Sequence, residues 1–138
     1  MKDEYGALLT VTSEVSSFED LNELFGTQAD KTIIKGQPQL IGGKVAPDRF
    51  NEQDVWILDS RFHVSKYDAL DKHIEFIVAI LSRIPNSSRA NFKSGDIEFS
   101  LTGYEYSSNP GVHLDSAVVE LLSQFRADID IDFFAVGE

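Results

Sequence analysis

Cysteine is absent from the chain, which removes disulfides, thiolate-bound zinc and a cysteine nucleophile together. A chain without thiols fits a reducing compartment, and the cytoplasm is the expected location. Long apolar runs are also absent: none approaches the ~18 residues of a membrane span. The N-terminal MKDEYGALLTVTS has neither the basic start nor the apolar core of a secretory signal. A soluble intracellular protein with no membrane partner is therefore expected. Basic residues are scarce, with 12 Lys and Arg against 23 Asp and Glu and a formal charge of −11. Proteins that grip nucleic acid release counterions from phosphates through clustered Lys and Arg. No such cluster is present, so nucleic acid is not an expected partner. The acidic balance keeps the chain soluble and favours a basic protein if a partner binds it.

Motifs that would fix an activity are missing too. The three histidines, His63, His73 and His113, form no H-x-x-x-H or H-E-x-x-H pair, so no zinc site is expected. His73 falls between Leu70 and Ile74, near Asp71 and Glu75, and is read as a helix-surface residue. His113 has no neighbouring nucleophile to serve as general base. The glycines of GQPQLIGG make no phosphate loop, because Gly43-Lys44 is followed by Val45 where a metal-binding hydroxyl would stand. In ADIDIDFFAVGE, Asp128, Asp130 and Asp132 resemble the start of a calcium loop. Counted from Asp128, the required glycine falls on Phe133 and the required glutamate one residue beyond Glu138. No metal and no cofactor are expected.

What is present is amphipathic patterning. At 138 residues the chain reads as one domain, residues 1–138, able to bury roughly two-thirds of its unfolded surface. YGALLTVT predicts a strand over 5–12. Ser17 and Asp20 form a capping-box variant, with Phe18, Leu21, Leu24 and Phe25 at helical spacing and Gly26 as the stop. Residues 27–54 carry brief apolar runs among Gly36, Gly42, Gly43, Pro38 and Pro47, and read as a long, partly structured connection. VWILDS predicts a short buried strand. Leu70, Ile74, Ile77, Val78, Leu81 and Ile84 make one helical stripe over about 68–83, capped by Asp68 or Asp71 and ended by Pro85. NSSRANFKSG reads as a turn with one loose helical turn. Ile97, Phe99 and Leu101 alternate with polar residues in a third strand. SSNPG is a loop, Asp115 an N-cap with Leu114 stapled to Val119, and Val118, Leu121, Leu122 and Phe125 the dry side of a last helix. In the closing strand, Ile129, Ile131 and Phe133 are expected in the core and the aspartates in water.

Alternating strands imply a sheet with one covered face. The fold class is therefore α+β: a two-layer sandwich, a mixed sheet of four or five strands with helices on one face. Two parallel strand-helix-strand units around an inserted helix would make a ferredoxin-like core.

Six pieces in order, ALLTVTSE, FEDLNELFG, the KG of IIKGQP, VWILDS, LDKHIEFIVAIL and LDSAVVELLSQFRADIDIDFF, cover nearly the whole chain. Together they resemble the domain-of-unknown-function family 4279 of bacterial proteins. Where family members commonly close the last strand with tyrosine, this chain has Phe133 and Phe134. The resemblance brings no catalytic residues, and relatives of immunity or accessory type offer only an analogy.

The residues point first to a non-enzymatic protein-binding module. Its candidate contacts are Trp56, Tyr104, Tyr106, Asp128, Asp130 and Asp132, the aromatic pair because tyrosines beside a loop are favoured at interfaces. Trp56 has the competing role of a core anchor. The alternative is a small-molecule site or minor enzyme built from the 33–49 loop, Trp56 and carboxylates such as Asp130. Self-association through a strand edge, or through Tyr104 and Tyr106, is a third reading.

Overall fold

A computed structural model describes residues 2–12, 16–106 and 111–136. β1 (Glu4–Thr12) buries Ala7, Leu9 and Val11 completely. α1 (Phe18–Phe25) has the predicted caps. Ser17 Oγ accepts from the Asp20 N–H at 3.1 Å, Asp20 accepts from the Ser17 N–H at 3.3 Å, and Gly26 ends the helix at φ 69°. Only glycine enters that left-handed region without strain.

Residues 27–54 are more ordered than the sequence expectation. They form β2 (Lys31–Ile33) and a hairpin of β3 (Pro38–Ile41) and β4 (Lys44–Phe50). Gly42 and Gly43 turn the hairpin with φ of 59° and 79°, the double positive φ that a two-residue turn requires. Turn chemistry and backbone bonding hold this unit together, such as Gly36 N–H to Asn51 C=O at 2.9 Å. Leu40, Val45 and Phe50 stay exposed, so no apolar stripe announced the hairpin.

Next come β5 (Val55–Asp59), a 3-10 turn (Ser60–Phe62), α2 (Leu70–Ser82), one helical turn α3 (Asn86–Arg89), β6 (Ile97–Glu105), α4 (Ser116–Gln124) and β7 (Asp128–Ala135). α2 starts after Ala69 with no side-chain cap, so neither Asp68 nor Asp71 caps it. Asp115 caps α4 as expected, its Oδ1 accepting from the Val118 N–H at 2.9 Å. Of SSNPG, residues 107–110 lie outside the described residues.

The main sheet has the order β2-β5-β1-β6-β7, and β3-β4 stand apart. β6 and β7 pair in parallel across α4, as a strand-helix-strand unit requires. β1 and β5 instead pair directly and antiparallel. The expected first parallel unit does not exist, and the ferredoxin-like order gives way to a mixed five-stranded sheet. The cause is the inserted β2 and hairpin, which return the chain beside β1 in the opposite direction.

Helices cover one face of this sheet. Leu21, Phe25, Ile74, Ile77, Ile80, Leu81, Leu122 and Phe125 pack on Leu9, Val11, Trp56, Leu58, Ile97, Phe99 and Leu101. The closing strand departs from expectation. Ile129, Ile131 and Phe133 alternate toward the helix side, yet Ile129 and Ile131 remain 40% and 41% exposed. β7 is the sheet edge, and the helix layer covers the strands inside it more completely.

Candidate functional site

Register sorts the polar residues of the open face. Glu98 stands opposite Asp128, Ser100 opposite Asp130, Thr102 opposite Asp132 and Tyr104 opposite Phe134. Paired residues in a ladder point the same way, so these eight share the face that the helices leave bare. Asp128, Asp130 and Asp132 are exposed, and Tyr104 stacks on Phe134 with ring centroids 5.2 Å apart. The neighbouring strands balance their charge. Arg61 lies over Gly6 and bonds Asp59 at 2.9 Å, and Lys66 pairs with Glu4 at 3.3 Å. Burial opposes ionisation of Asp59, but the hydrogen bonds and charge of Arg61 outweigh it and hold the carboxyl below its ordinary range. Among the described residues, no cation forms an ion pair with Glu98, Asp128, Asp130 or Asp132. Nor do any described carboxylates and histidines gather closely enough to hold a metal ion.

Trp56 must be withdrawn as a contact residue. It is fully buried, stacks on Phe25 at 4.7 Å and donates its indole N–H to Asn22 Oδ1 at 2.8 Å. Its strand position points it under the helices. The small-molecule alternative loses its convergence for a similar reason. A cavity of about 530 Å³ does lie between β2 and the hairpin, lined by Ile33, Ile34, Gln37 and Leu40. Asp130, however, lies on β7 at the opposite edge, four strand spacings or about 19 Å away. Tyr106 is 39% exposed just past β6, where its N–H bonds Asp3 Oδ1 at 2.7 Å.

His73 is a second correction. It is completely buried instead of lying on the helix surface, and its Nδ1 meets Ser60 Oγ, also fully buried, at 2.7 Å. Nε2 lies 3.0 Å from the Ser65 carbonyl, and Ser60 Oγ accepts from the Ala7 N–H at 2.8 Å. The carbonyl can only accept, so Nε2 carries the proton and Nδ1 accepts from the serine. Burial, the largest influence, lowers the imidazole pKa against the raising effects of Ser65, Asp68 and Asp59. Every polar atom of the pair is satisfied, which marks a buried strut joining β1, the 3-10 turn and α2. The signal that could have found it is the helix stripe itself, since position 73 lies four residues before Ile77.

His113 lines a groove of about 690 Å³ between α2 and α4, with Ile74, Val78, Leu121, Glu75 and Glu120. His63 Nε2 bonds Asp30 at 2.9 Å and its ring stacks on Phe76. Neither histidine faces a nucleophilic side chain in a described hydrogen bond. Among the described residues, no helix is long and apolar enough to cross a membrane.

A family model described as a domain of unknown function, DUF4279, matches residues 3–135. No curated protein and no solved structure matches the chain.

Proposed function

The chain belongs to DUF4279, a family of domains of unknown function, and since membership brings no activity, we propose from its geometry that it is a non-enzymatic protein-binding module. It acts in the bacterial cytoplasm as an immunity-type or accessory protein, and its contact surface is the β6–β7 half of the open sheet face. One observation carries the reading. Glu98, Asp128, Asp130 and Asp132 share a bare face with no described cation partner, while the acids of the neighbouring strands are paired. Like charges opposite each other cost stability in a ladder, and a partner with the opposite charge recovers that cost. The stacked Tyr104 and Phe134, both about half exposed, add the aromatic anchor typical of an interface centre. The partner is therefore a basic protein.

Affinity capture from the native cell, run in parallel with the chain and its Asp128→Asn/Asp130→Asn/Asp132→Asn variant, tests this. The expected result is a basic protein retained by the former, lost by the latter and released by salt, since exposed charges are screened beyond ~10 Å at 0.1 M. Equal retention by both would contradict the proposal.

A further inference from the structure

β7 is eight residues long and ends the sheet order. Among the described residues, no strand pairs with its outer side. The Val136 N–H bonds the Glu105 carbonyl at 2.7 Å, and backbone groups in a parallel ladder turn inward at every second residue. The even-numbered residues of β7 therefore bond to β6. The N–H and C=O groups of Ile129, Ile131 and Phe133 point away from the sheet. The side chains of the same strand offer two different surfaces, half-exposed Ile129 and Ile131 on the helix side and Asp128, Asp130 and Asp132 on the open side. Val119, on α4, adds a 45% exposed apolar side chain, and a shallow cavity joins it to Ile129.

We propose that the outer edge of β7 takes up an extended segment of a partner protein in which basic and apolar residues alternate, adding one strand to the sheet. This deepens the function proposed above and rests on it, since the cations of the segment are those that meet the aspartates. An added strand bonds the outward amides. Its alternation sets apolar side chains beside Ile129 and Ile131 and basic ones beside the aspartates. A second copy of the chain fits worse, because antiparallel self-pairing of β7 sets aspartates against aspartates. The aspartate row thus guards the edge against its own kind while leaving it open to a basic strand. The other edge, β2, is only three residues long and carries Lys31.

The test titrates a short peptide of alternating lysine and valine into the isotope-labelled full chain, following amide hydrogen exchange. Exchange at Ile129, Ile131 and Phe133 is expected to slow about tenfold or more at saturation. N-methylation of the peptide amides that face β7 is expected to weaken binding by about tenfold, the equivalent of roughly 1.4 kcal/mol. Methylation of the alternate amides leaves it unchanged, and a glutamate-valine peptide does not bind. No binding of the lysine peptide overturns the edge inference. Binding without edge protection also overturns it, while leaving the sheet-face reading intact. Binding that survives Asp128→Asn/Asp130→Asn/Asp132→Asn overturns the sheet-face reading itself. Sedimentation showing the unmodified chain as a dimer paired through β7 would assign the edge to a second copy and also overturn the inference.

Discussion

At the scale of single residues, Ser60 and His73 form a fully buried hydrogen-bonded pair against the apolar core. Ser60 serves two partners, accepting from the Ala7 N–H and donating to His73. Ser60→Ala therefore leaves a buried donor and a buried acceptor unpaired, and chemical denaturation is expected to show a loss of about 1–3 kcal/mol. His73 ties stability to pH. Its folded pKa lies below the ordinary imidazole value of 6.5, so the unfolded chain binds the proton more readily. Stability is complete above that value and falls as pH drops through it toward the folded pKa. The slope is expected to flatten in His73→Gln, measured as the denaturation midpoint from about pH 8 to pH 5. An equal slope in both proteins would assign the effect elsewhere. Tyr5 acts at the opposite end of the scale. Burial first, and then Glu105 and Asp3, push its phenol up to about 12, and stability is lost as pH rises from 10 toward that value.

At the scale of elements, two glycines on β1 and β6 look alike in sequence and differ in consequence. A Cβ at Gly103 would run into the ring of Phe133 and touch Tyr5, where the two rings already meet edge to face. A Cβ at Gly6 would first meet the flexible stem of Arg61, at 2.8 Å. Gly103→Ala is expected to cost about 1–3 kcal/mol by overpacking and to shift Phe133 and the end of β7, whereas Gly6→Ala costs much less. Thermal denaturation of the two variants checks the order. The same contrast between packed and unpacked elements explains what the sequence disclosed. α1, α2, α4 and β6 were legible because each buries a regular stripe, such as Ile97, Phe99 and Leu101. The β3–β4 hairpin was not, because it buries no stripe, and only Gly42-Gly43 between short apolar pairs marked it. The antiparallel placement of β5 beside β1 was also hidden, since strand order follows from long-range pairing. Of the candidate site, the aspartate row and Tyr104 were readable from period-two spacing. Their partner strand β6, with Glu98 in line, needed the register.

At the scale of the whole molecule, the charge of −11 is not spread evenly over the sheet. Glu4 on β1 and Asp59 on β5 have lysine and arginine partners, and the acids on β7 have none among the described residues. Such a row weakens the fold that carries it. Asp128→Asn/Asp130→Asn/Asp132→Asn is expected to raise the thermal midpoint at low ionic strength, with a smaller gain at ~1 M salt, where screening acts within about 3 Å. A gain in stability together with a loss of binding would show that the row is kept for recognition. The most direct measurement is the dissociation constant of the captured basic partner for the chain and this variant, at two salt concentrations. Affinity is expected to be about tenfold or more weaker for the variant, with most of the salt dependence gone. Equal affinity and equal salt dependence would contradict the sheet-face reading.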